Sequence, residues 1–297
     1  MYKAFYGFSR NPFEITPDPA FFYGTTRHNE ALASLYHGIE RRRGFIVVTG
    51  EVGTGKTLLA RCLFRTLKWH KVAFAYIFNP LLSPLEFLQY AASDMGISPV
   101  RKAKGELLSD LNRFLISQYR QKSTAVLIVD EAQLLTWDLL EEIRLLTNLE
   151  TEQQKLLQIV LIGQPELDQK LDSQDLRQLK QRIALRCRLE PLSREETGKY
   201  IAQRLWLAGV RAKEQAIFEE PAIELVYRYS RGIPRLVNNI CEASLVASFA
   251  LKRSVVSPEL VDEVATDFCL GNPEFPTKRK DVLRAAVTHI TPVAEAL

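Results

Sequence analysis

The first two thirds of the chain alternate between apolar positions at helical spacing and short, unbroken apolar runs. The unbroken runs are typical of buried strands, and five of them follow one another: "GFIVVTG", "VAFAYIFN", "AVLIVD", "LQIVLIG" and the more mixed "ALRCRLE". Between most of them, apolar residues recur three and four positions apart, as in amphipathic helices. Because parallel strands need crossover helices, this alternation predicts an α/β fold with a doubly wound, mainly parallel, five-stranded sheet.

The pattern changes after Pro191, where only helical periods are found. Two of these segments begin with "SREE" and "SPEL", each a serine suited to helix N-capping followed by acidic residues. This part is therefore predicted to be an all-helical unit. The proline-rich opening, "RNPFEITPDPAFFYG", predicts an irregular lead-in on the surface. We divide the chain into a lead-in (1–28), an α/β core (29–191), a helical unit (192–270) and a flexible tail (271–297).

Composition narrows the class of protein only modestly. The 297 residues are 46% hydrophobic, enough for a sizeable core, and the formal net charge of +4 is smaller than that of a dedicated nucleic-acid binder. The four cysteines stand far apart without a C-x-x-C pair, which favours a reduced, cytoplasmic protein without a zinc cage or disulfide framework. No signal-peptide core and no apolar run of about 18 residues is present, so we expect no membrane span in this chain.

The segment "GEVGTGKT" carries the clearest chemistry. It matches G-x-x-x-x-G-K-[ST] directly after a predicted strand and directly before a predicted helix. Backbone N–H groups of such a loop wrap phosphates, Lys56 reaches the β- and γ-phosphates, and Thr57 can bind Mg²⁺. We therefore predict a site for ATP and Mg²⁺. Its nucleotide-binding residues are Gly50, Glu51, Val52, Gly53, Thr54, Gly55, Lys56, Thr57 and Leu58.

Asp130 and Glu131 follow the third apolar strand directly. Ligands of open α/β sheets bind at the carboxyl ends of strands, so Asp130 is a candidate Mg²⁺ ligand. Glu131 can then orient or deprotonate the water that attacks the γ-phosphate. An Asp-Glu pair at a strand end is by itself more often a helix cap, and only the upstream phosphate loop favours catalysis.

Two further residues are candidates for sensing the nucleotide. Gln164 ends the fourth strand, where its amide can bind the γ-phosphate and the attacking water; the alternative is a polar turn residue before Pro165. Arg235 lies near the start of a helix in the helical unit, from which it can reach the phosphates. The alternative for Arg235 is an ordinary surface position.

These motifs, in this order, resemble those of the AAA+ ATPase family. The resemblance covers about residues 20–270, with Walker A at Gly50–Thr57, Walker B at Asp130 and Glu131, sensor 1 at Gln164 and sensor 2 at Arg235. The family commonly has asparagine at sensor 1, and Gln164 keeps the amide. The resemblance implies a three-layer αβα core with a C-terminal helical lid, nucleotide between them, and assembly into rings or filaments with sites at subunit interfaces.

A narrower resemblance concerns the ATPase domain of the ExeA-type, or general secretion pathway protein A, group. It is carried by "FYGFSRNPFEITPDPAFFYGTTRHNEAL", "LIGQPELDQKL", "LKQRIALRCRLEPLS" and "GIPRLVNNIC". In that group a cytoplasmic ATPase is followed by a membrane span and a periplasmic peptidoglycan-binding region, which help to assemble an outer-membrane secretin. This chain ends before any such span, so we expect either a fragment, the cytoplasmic part of an inner-membrane protein, or a shorter relative.

Three arginines interrupt the apolar segment "LKQRIALRCRL" without obvious acidic partners beside them. Strand alternation places Arg186 and Arg188 on one face, with Leu185, Cys187 and Leu189 on the other. The AAA+ resemblance places an arginine finger for a neighbour's γ-phosphate at Arg182. Arg186 is a weaker candidate for that role, and Arg188 is expected to be a surface or interface ion-pair residue.

The leading hypothesis is an ATP-hydrolysing AAA+ protein that self-assembles and drives a secretion or cell-envelope partner. The first alternative is a DNA-binding AAA+ ATPase of the transposition-regulator type, in which the basic runs Arg41–Arg43 and Arg101–Lys104 contact phosphates instead of being solvated surface. The second alternative is a nucleotide-gated binding module without significant turnover.

Overall fold

The computed structural model describes residues 2–67, 72–210 and 216–270, which form two compact units. One unit lies within Pro17–Glu190, and the other joins the described residues of 2–16 with those of 191–270. The first contains the parallel sheet. In the second, the described regular elements are helices, and a single bridge joins Phe218 and Val256.

The sheet of the first unit has five parallel strands. They are β1 (Phe45–Gly50), β2 (Val72–Ile77), β3 (Thr124–Val129), β4 (Leu157–Gly163) and β5 (Ile183–Leu189). The order in the sheet is β2-β3-β4-β1-β5, so that β1 lies between β4 and β5 and leads into the phosphate loop. The predicted five-stranded parallel α/β sheet is confirmed. Strands β1 and β4 are buried along their whole length, which explains their continuous apolar sequence.

Helices cover both faces of this sheet. Helices are numbered along the chain, and α1 (Tyr2–Tyr6) belongs to the helical unit. The helices of the α/β unit are α2 (Thr26–Glu40), α3 (Lys56–Leu67), α4 (Pro84–Asp94), α5 (Lys104–Arg120), α6 (Trp137–Leu146), α7 (Pro165–Leu171) and α8 (Arg177–Lys180). On β1, Ile46 and Val48 pack with the buried residues of α2 and α3. Phe45 and Val47 face the other way and pack with α4 to α7. Alternate residues of one strand thus serve two cores, which gives the expected three-layer αβα arrangement.

The helical unit contains α1 and four longer helices, α9 (Arg194–Leu207), α10 (Glu220–Ser230), α11 (Pro234–Ala250) and α12 (Pro258–Asp267). Ser193 caps α9 as predicted, because its hydroxyl accepts from the Glu196 N–H while its own N–H donates to the Glu196 carboxylate. Ser257 also occupies an N-cap position, but it makes no capping hydrogen bond to α12.

Residues 1–28 do not form one surface lead-in, contrary to the expectation from their prolines. Tyr6, Phe8 and Phe13 are buried in the helical unit, where the Tyr6 hydroxyl donates to the Arg253 carbonyl at 3.1 Å. Residues from 17 onward belong to the α/β unit, with Phe21 buried there. The reason is hydrophobic: each aromatic ring removes a large apolar area from water, and irregular backbone does not prevent its burial.

The predicted tail, 271–297, lies outside the described residues. Among the helices that are described, none combines the length and apolar character needed to cross a membrane.

Candidate active site

The predicted nucleotide-binding residues form the tight loop between β1 and α3, together with the residues at its two ends. β1 ends at Gly50 and α3 begins at Lys56, so only five residues connect them. Gly53 and Gly55 have φ angles of +83° and +96°, a region that glycine enters without a Cβ penalty. The Thr54 hydroxyl donates to the Glu51 carbonyl at 2.8 Å and closes the turn. The loop therefore has the strand–loop–helix geometry that binds phosphate at a helix N-terminus.

Lys56 is the clearest sign that the loop is built for an anion. Its side chain is only 7% exposed, and Nζ donates to the carbonyls of Gly50 at 2.8 Å and Glu51 at 2.9 Å. Burial lowers the Lys56 pKa, which the nearby carboxylates of Glu131 and Asp130 oppose. The carbonyls that bind this buried ammonium are neutral and do not balance its charge. The phosphates of a nucleotide carry the negative charge that would balance it.

Thr57 and Asp130 form the predicted metal-binding pair. Asp130 directly follows β3 and is 5% exposed, and its Oδ2 accepts from the Thr57 hydroxyl at 3.0 Å. The Tyr76 hydroxyl, from the neighbouring strand β2, donates to the same oxygen at 2.7 Å. Burial and the Asp130 charge raise the Tyr76 pKa, so this hydroxyl stays protonated and acts as a donor. A carboxylate beside a hydroxyl is the oxygen donor set that suits Mg²⁺.

Glu131 and Gln164 meet at the same edge of the sheet. Glu131 has a left-handed backbone (φ 52°, ψ 36°), and its Oε2 accepts from the Gln164 side-chain amide at 3.4 Å. Gln164 follows β4 directly and occupies the N-cap position of α7 without a side-chain capping bond. Because β3, β4 and β1 are adjacent in the sheet, Asp130, Glu131 and Gln164 lie at neighbouring strand ends, beside the loop that leads from β1 to Lys56.

His28 supports the phosphate loop and was not singled out from the sequence. It is buried, and its Nε2–H donates to the Thr54 carbonyl at 3.1 Å, while Nδ1 and the Thr25 hydroxyl share a hydrogen bond of 2.7 Å. The Thr54 carbonyl can only accept, so Nε2 carries a proton in this contact. The sequence signal was a histidine in the first turn of α2, which does not reveal its partner.

Arg186 of β5 does have acidic partners, although none stands beside it in the sequence. Arg186 pairs with Asp168 at 3.3 Å and with Asp172 at 3.1 Å, from α7 and the residue after it. Asp168 also accepts from the Thr49 hydroxyl at 2.7 Å, next to the phosphate loop. The sequence did not show these pairs because the acidic residues lie 14 and 18 positions away.

Arg182 and Arg188 differ in their surroundings. The Nη1 of Arg182 donates to Asn148 Oδ1 at 2.6 Å, to Thr147 Oγ1 and to the Arg144 carbonyl, at the end of α6. Arg188 is exposed, and no hydrogen bond or ion pair to it is found among the described residues. The predicted alternation of β5 is confirmed, with Leu189 buried and Arg186 and Arg188 on the more exposed face.

Arg235, the candidate sensor 2 residue, is an exposed side chain in the first turn of α11 in the helical unit. Its role in nucleotide binding stays a prediction.

The phosphate loop, the acidic strand end and the parallel sheet have the arrangement of a P-loop nucleotide-binding fold. In agreement, a family model described as "AAA domain" matches residues 39–171. This part of the α/β unit is therefore similar to an AAA domain.

Among curated proteins, the chain is 45% identical to General secretion pathway protein A of Aeromonas hydrophila over 251 residues. This match covers 84% of the chain but only 45% of that relative, so the chain spans less than half of its length.

Solved structures show the same fold at low identity. The Aeropyrum pernix ORC2 protein in ADPNP–ADP complexes has a TM-score of 0.66 at 18% identity, covering 88% of this chain and 72% of that one. The Thermotoga maritima RuvB Holliday junction branch migration motor has a TM-score of 0.54 at 16% identity, covering 83% and 70%.

Proposed function

We propose that the α/β unit binds ATP together with Mg²⁺ at the carboxyl edge of its sheet and hydrolyses it to ADP and phosphate. One observation carries this proposal: Asp130 and Glu131 at the end of β3 lie beside the phosphate loop that follows β1, where Lys56 is buried and Thr57 bonds to Asp130. The match of residues 39–171 to an AAA domain supports the proposal. Phosphoryl transfer needs positioning and charge more than covalent chemistry, and these residues supply both.

Each residue has a distinct task in this proposal. Lys56 exchanges its carbonyl partners for phosphate oxygens, and the loop N–H groups bind the remaining phosphate charge. Thr57 and Asp130 would hold the Mg²⁺, which neutralises charge that develops on the phosphates. Glu131 orients the attacking water and accepts its proton. Gln164, beside Glu131, offers an amide to the same water or to the γ-phosphate.

We also propose that the protein acts as an assembly, with an arginine of one subunit completing the site of the next. Arg182 is the candidate from the AAA+ resemblance, with Arg186 as the weaker one. Arg186 is held by two aspartates of its own chain, which argues against its release toward a neighbour. Arg235 is proposed to contact the nucleotide from the helical unit.

For the biological role, we propose a cytoplasmic ATPase, where ATP is available, that drives or gates a secretion or cell-envelope partner. The support is the 45% identity to General secretion pathway protein A, over less than half of that protein. The DNA-binding alternative is weakened because three of the six basic side chains in its two runs already bind partners within this chain. Arg42 donates to the Ser123 carbonyl, Lys102 pairs with Asp110, and Lys104 pairs with Glu142.

The test is phosphate release by the purified chain with Mg²⁺ and ATP, with and without DNA, beside nucleotide binding. Lys56→Ala is expected to abolish nucleotide binding and hydrolysis. Lys3→Ala, which changes an exposed lysine near the N-terminus, is the matched control and should leave both unchanged. Absence of hydrolysis at any protein concentration, with binding intact, would favour a nucleotide-gated module. Hydrolysis that rises steeply with DNA at low salt would favour the DNA-binding alternative.

A further inference from the structure

Gln133 connects the two halves of the candidate active site. It lies three residues after Asp130 in a short 3-10 turn, Ala132–Leu134. Its Nε2 donates to Glu131 Oε2 at 2.7 Å, and its Oε1 accepts from the backbone N–H of Gln164 at 3.0 Å. One side chain therefore joins the carboxylate that follows β3 to the backbone that follows β4.

The direction of these two bonds is fixed by chemistry. The Gln164 backbone N–H can only donate, so the Gln133 atom that meets it must be the amide oxygen. The amide NH₂ then faces the Glu131 carboxylate, which can only accept when ionised. Glutamine satisfies both partners at once, whereas glutamate or an apolar residue does not.

The backbone around Gln133 is held by a lysine of α7. Lys170 Nζ, from α7, donates at 2.8 Å to both the Gln133 and the Leu135 carbonyls. Gly163 provides the close approach: a Cβ added there would lie 3.1 Å from Gln133 Oε1 and 3.2 Å from its backbone nitrogen. The turn, the end of β4 and α7 thus fix the position of the amide.

Glu131 is the residue that this arrangement constrains. Its left-handed backbone is a conformation that a residue with a Cβ adopts only at a cost, so surrounding contacts must maintain it. The amides of Gln133 and Gln164 both donate to Oε2, and within the described part of the chain no bond to Oε1 is found. Oε1 is therefore the oxygen that can accept from a water molecule.

We infer that Gln133 is a positioning residue for ATP hydrolysis, which rests on the ATPase function proposed above. By binding Oε2, it holds Oε1 toward the attacking water. That water gives a proton to Oε1 as its oxygen bonds to the γ-phosphorus, and the bond from this phosphorus to the β–γ bridging oxygen breaks, leaving ADP and phosphate. Gln133 does not touch the reacting atoms and acts through Glu131.

Two substitutions separate the two bonds of Gln133. Gln133→Glu keeps an acceptor for the Gln164 N–H but cannot donate to Glu131 when ionised, and Gln133→Ala removes both. We expect kcat to fall about 10- to 100-fold in both variants, since small misplacements of a reacting group have effects of this size. The KM for ATP and the affinity for a fluorescent non-hydrolysable analogue should stay within about threefold, because the phosphate loop is untouched. Gln153→Ala, an exposed glutamine, is the control.

Backbone hydrogen exchange gives a readout that does not depend on turnover. Gln133→Ala should speed exchange of the Gln164 amide, which loses its acceptor, and Gln133→Glu should leave it slow. In a Glu131→Gln background, Gln133→Ala should cause no further loss of hydrolysis.

The inference is overturned if wild-type protein hydrolyses ATP and the Gln133→Ala variant has the wild-type kcat. It is also overturned if Gln133→Ala lowers hydrolysis by the same factor in the Glu131→Gln background as in wild type. A wild-type protein that binds but never hydrolyses ATP overturns the proposed function itself, and with it any positioning role. The two failures are therefore distinguishable from the wild-type rate alone.

Discussion

Replacing Arg182 by alanine separates a structural role from a role toward a neighbouring subunit. The last carbonyls of a helix lack partners within the helix, and a cation there also interacts favourably with the helix dipole. Arg182 supplies such a cation at the end of α6, where Nη1 donates to Arg144 O, Thr147 Oγ1 and Asn148 Oδ1. Arg182→Ala is therefore expected to destabilise the α/β unit in an isolated chain.

The magnitude follows from these contacts. Each hydrogen bond contributes about 0.5–1.5 kcal/mol, and the bond to the Arg144 carbonyl, at 3.3 Å, belongs at the lower end. The dipole contributes about 0.3–1 kcal/mol more. Since Arg182 is partly exposed, we expect a loss of about 2 kcal/mol in the free energy of unfolding. For a unit of this size, that corresponds to a fall of about 4–8 °C in the melting temperature.

The assay is thermal unfolding of the whole chain without nucleotide, followed by circular dichroism at a low protein concentration. Arg188→Ala is the matched control, because this arginine of the following strand is exposed and no partner is found for it among the described residues. Its free energy of unfolding should stay within about 0.5 kcal/mol of the wild-type value. An unchanged melting temperature for Arg182→Ala, with ATP hydrolysis lost only where the protein assembles, would refute the structural assignment and support the trans finger.

Three further outcomes are expected. Tyr76→Phe removes the hydroxyl that donates to Asp130 at 2.7 Å and should lower the unfolding free energy by about 1.5–3 kcal/mol in denaturant titrations; an equal effect of Tyr90→Phe, on a partly exposed helix position, would contradict this. Gly232→Ala should destabilise the helical unit by more than about 1 kcal/mol, since φ is +72° and the new Cβ would lie 1.9 Å from the Leu192 carbonyl oxygen; normal helix content and melting would count against it. Chelation of Mg²⁺ should stop phosphate release and added Mg²⁺ should restore it; full turnover in the chelator would exclude the proposed metal role.

The parallel sheet and the phosphate loop were predictable because their signals are local. "GFIVVTG" is buried along its length as β1, and "GEVGTGKT" follows it as a loop whose glycines need positive φ. Such features depend on a few adjacent residues, and their periodicity and spacing are visible in the sequence.

The contacts around the site were not predictable because sheet order determines them. Tyr76 reaches Asp130, 54 positions away, only because β2 lies beside β3, and Gln133 reaches Gln164 only because β4 follows next. Hydrophobic periodicity identifies strands but does not give their neighbours. The burial of Tyr6 and Phe13 was missed for a related reason, since isolated aromatic residues in an irregular segment show no period.

The most direct test of the central claim, that Glu131 carries out hydrolysis in a P-loop ATP site, is the identity of bound nucleotide after incubation with ATP and Mg²⁺. Wild-type protein, separated from free nucleotide and analysed by chromatography, is expected to retain mainly ADP. Glu131→Gln keeps the size of the side chain but removes the base, so it should bind as much nucleotide and retain it as ATP. If Glu131→Gln instead converts ATP to ADP at the wild-type rate, Glu131 is not the catalytic base.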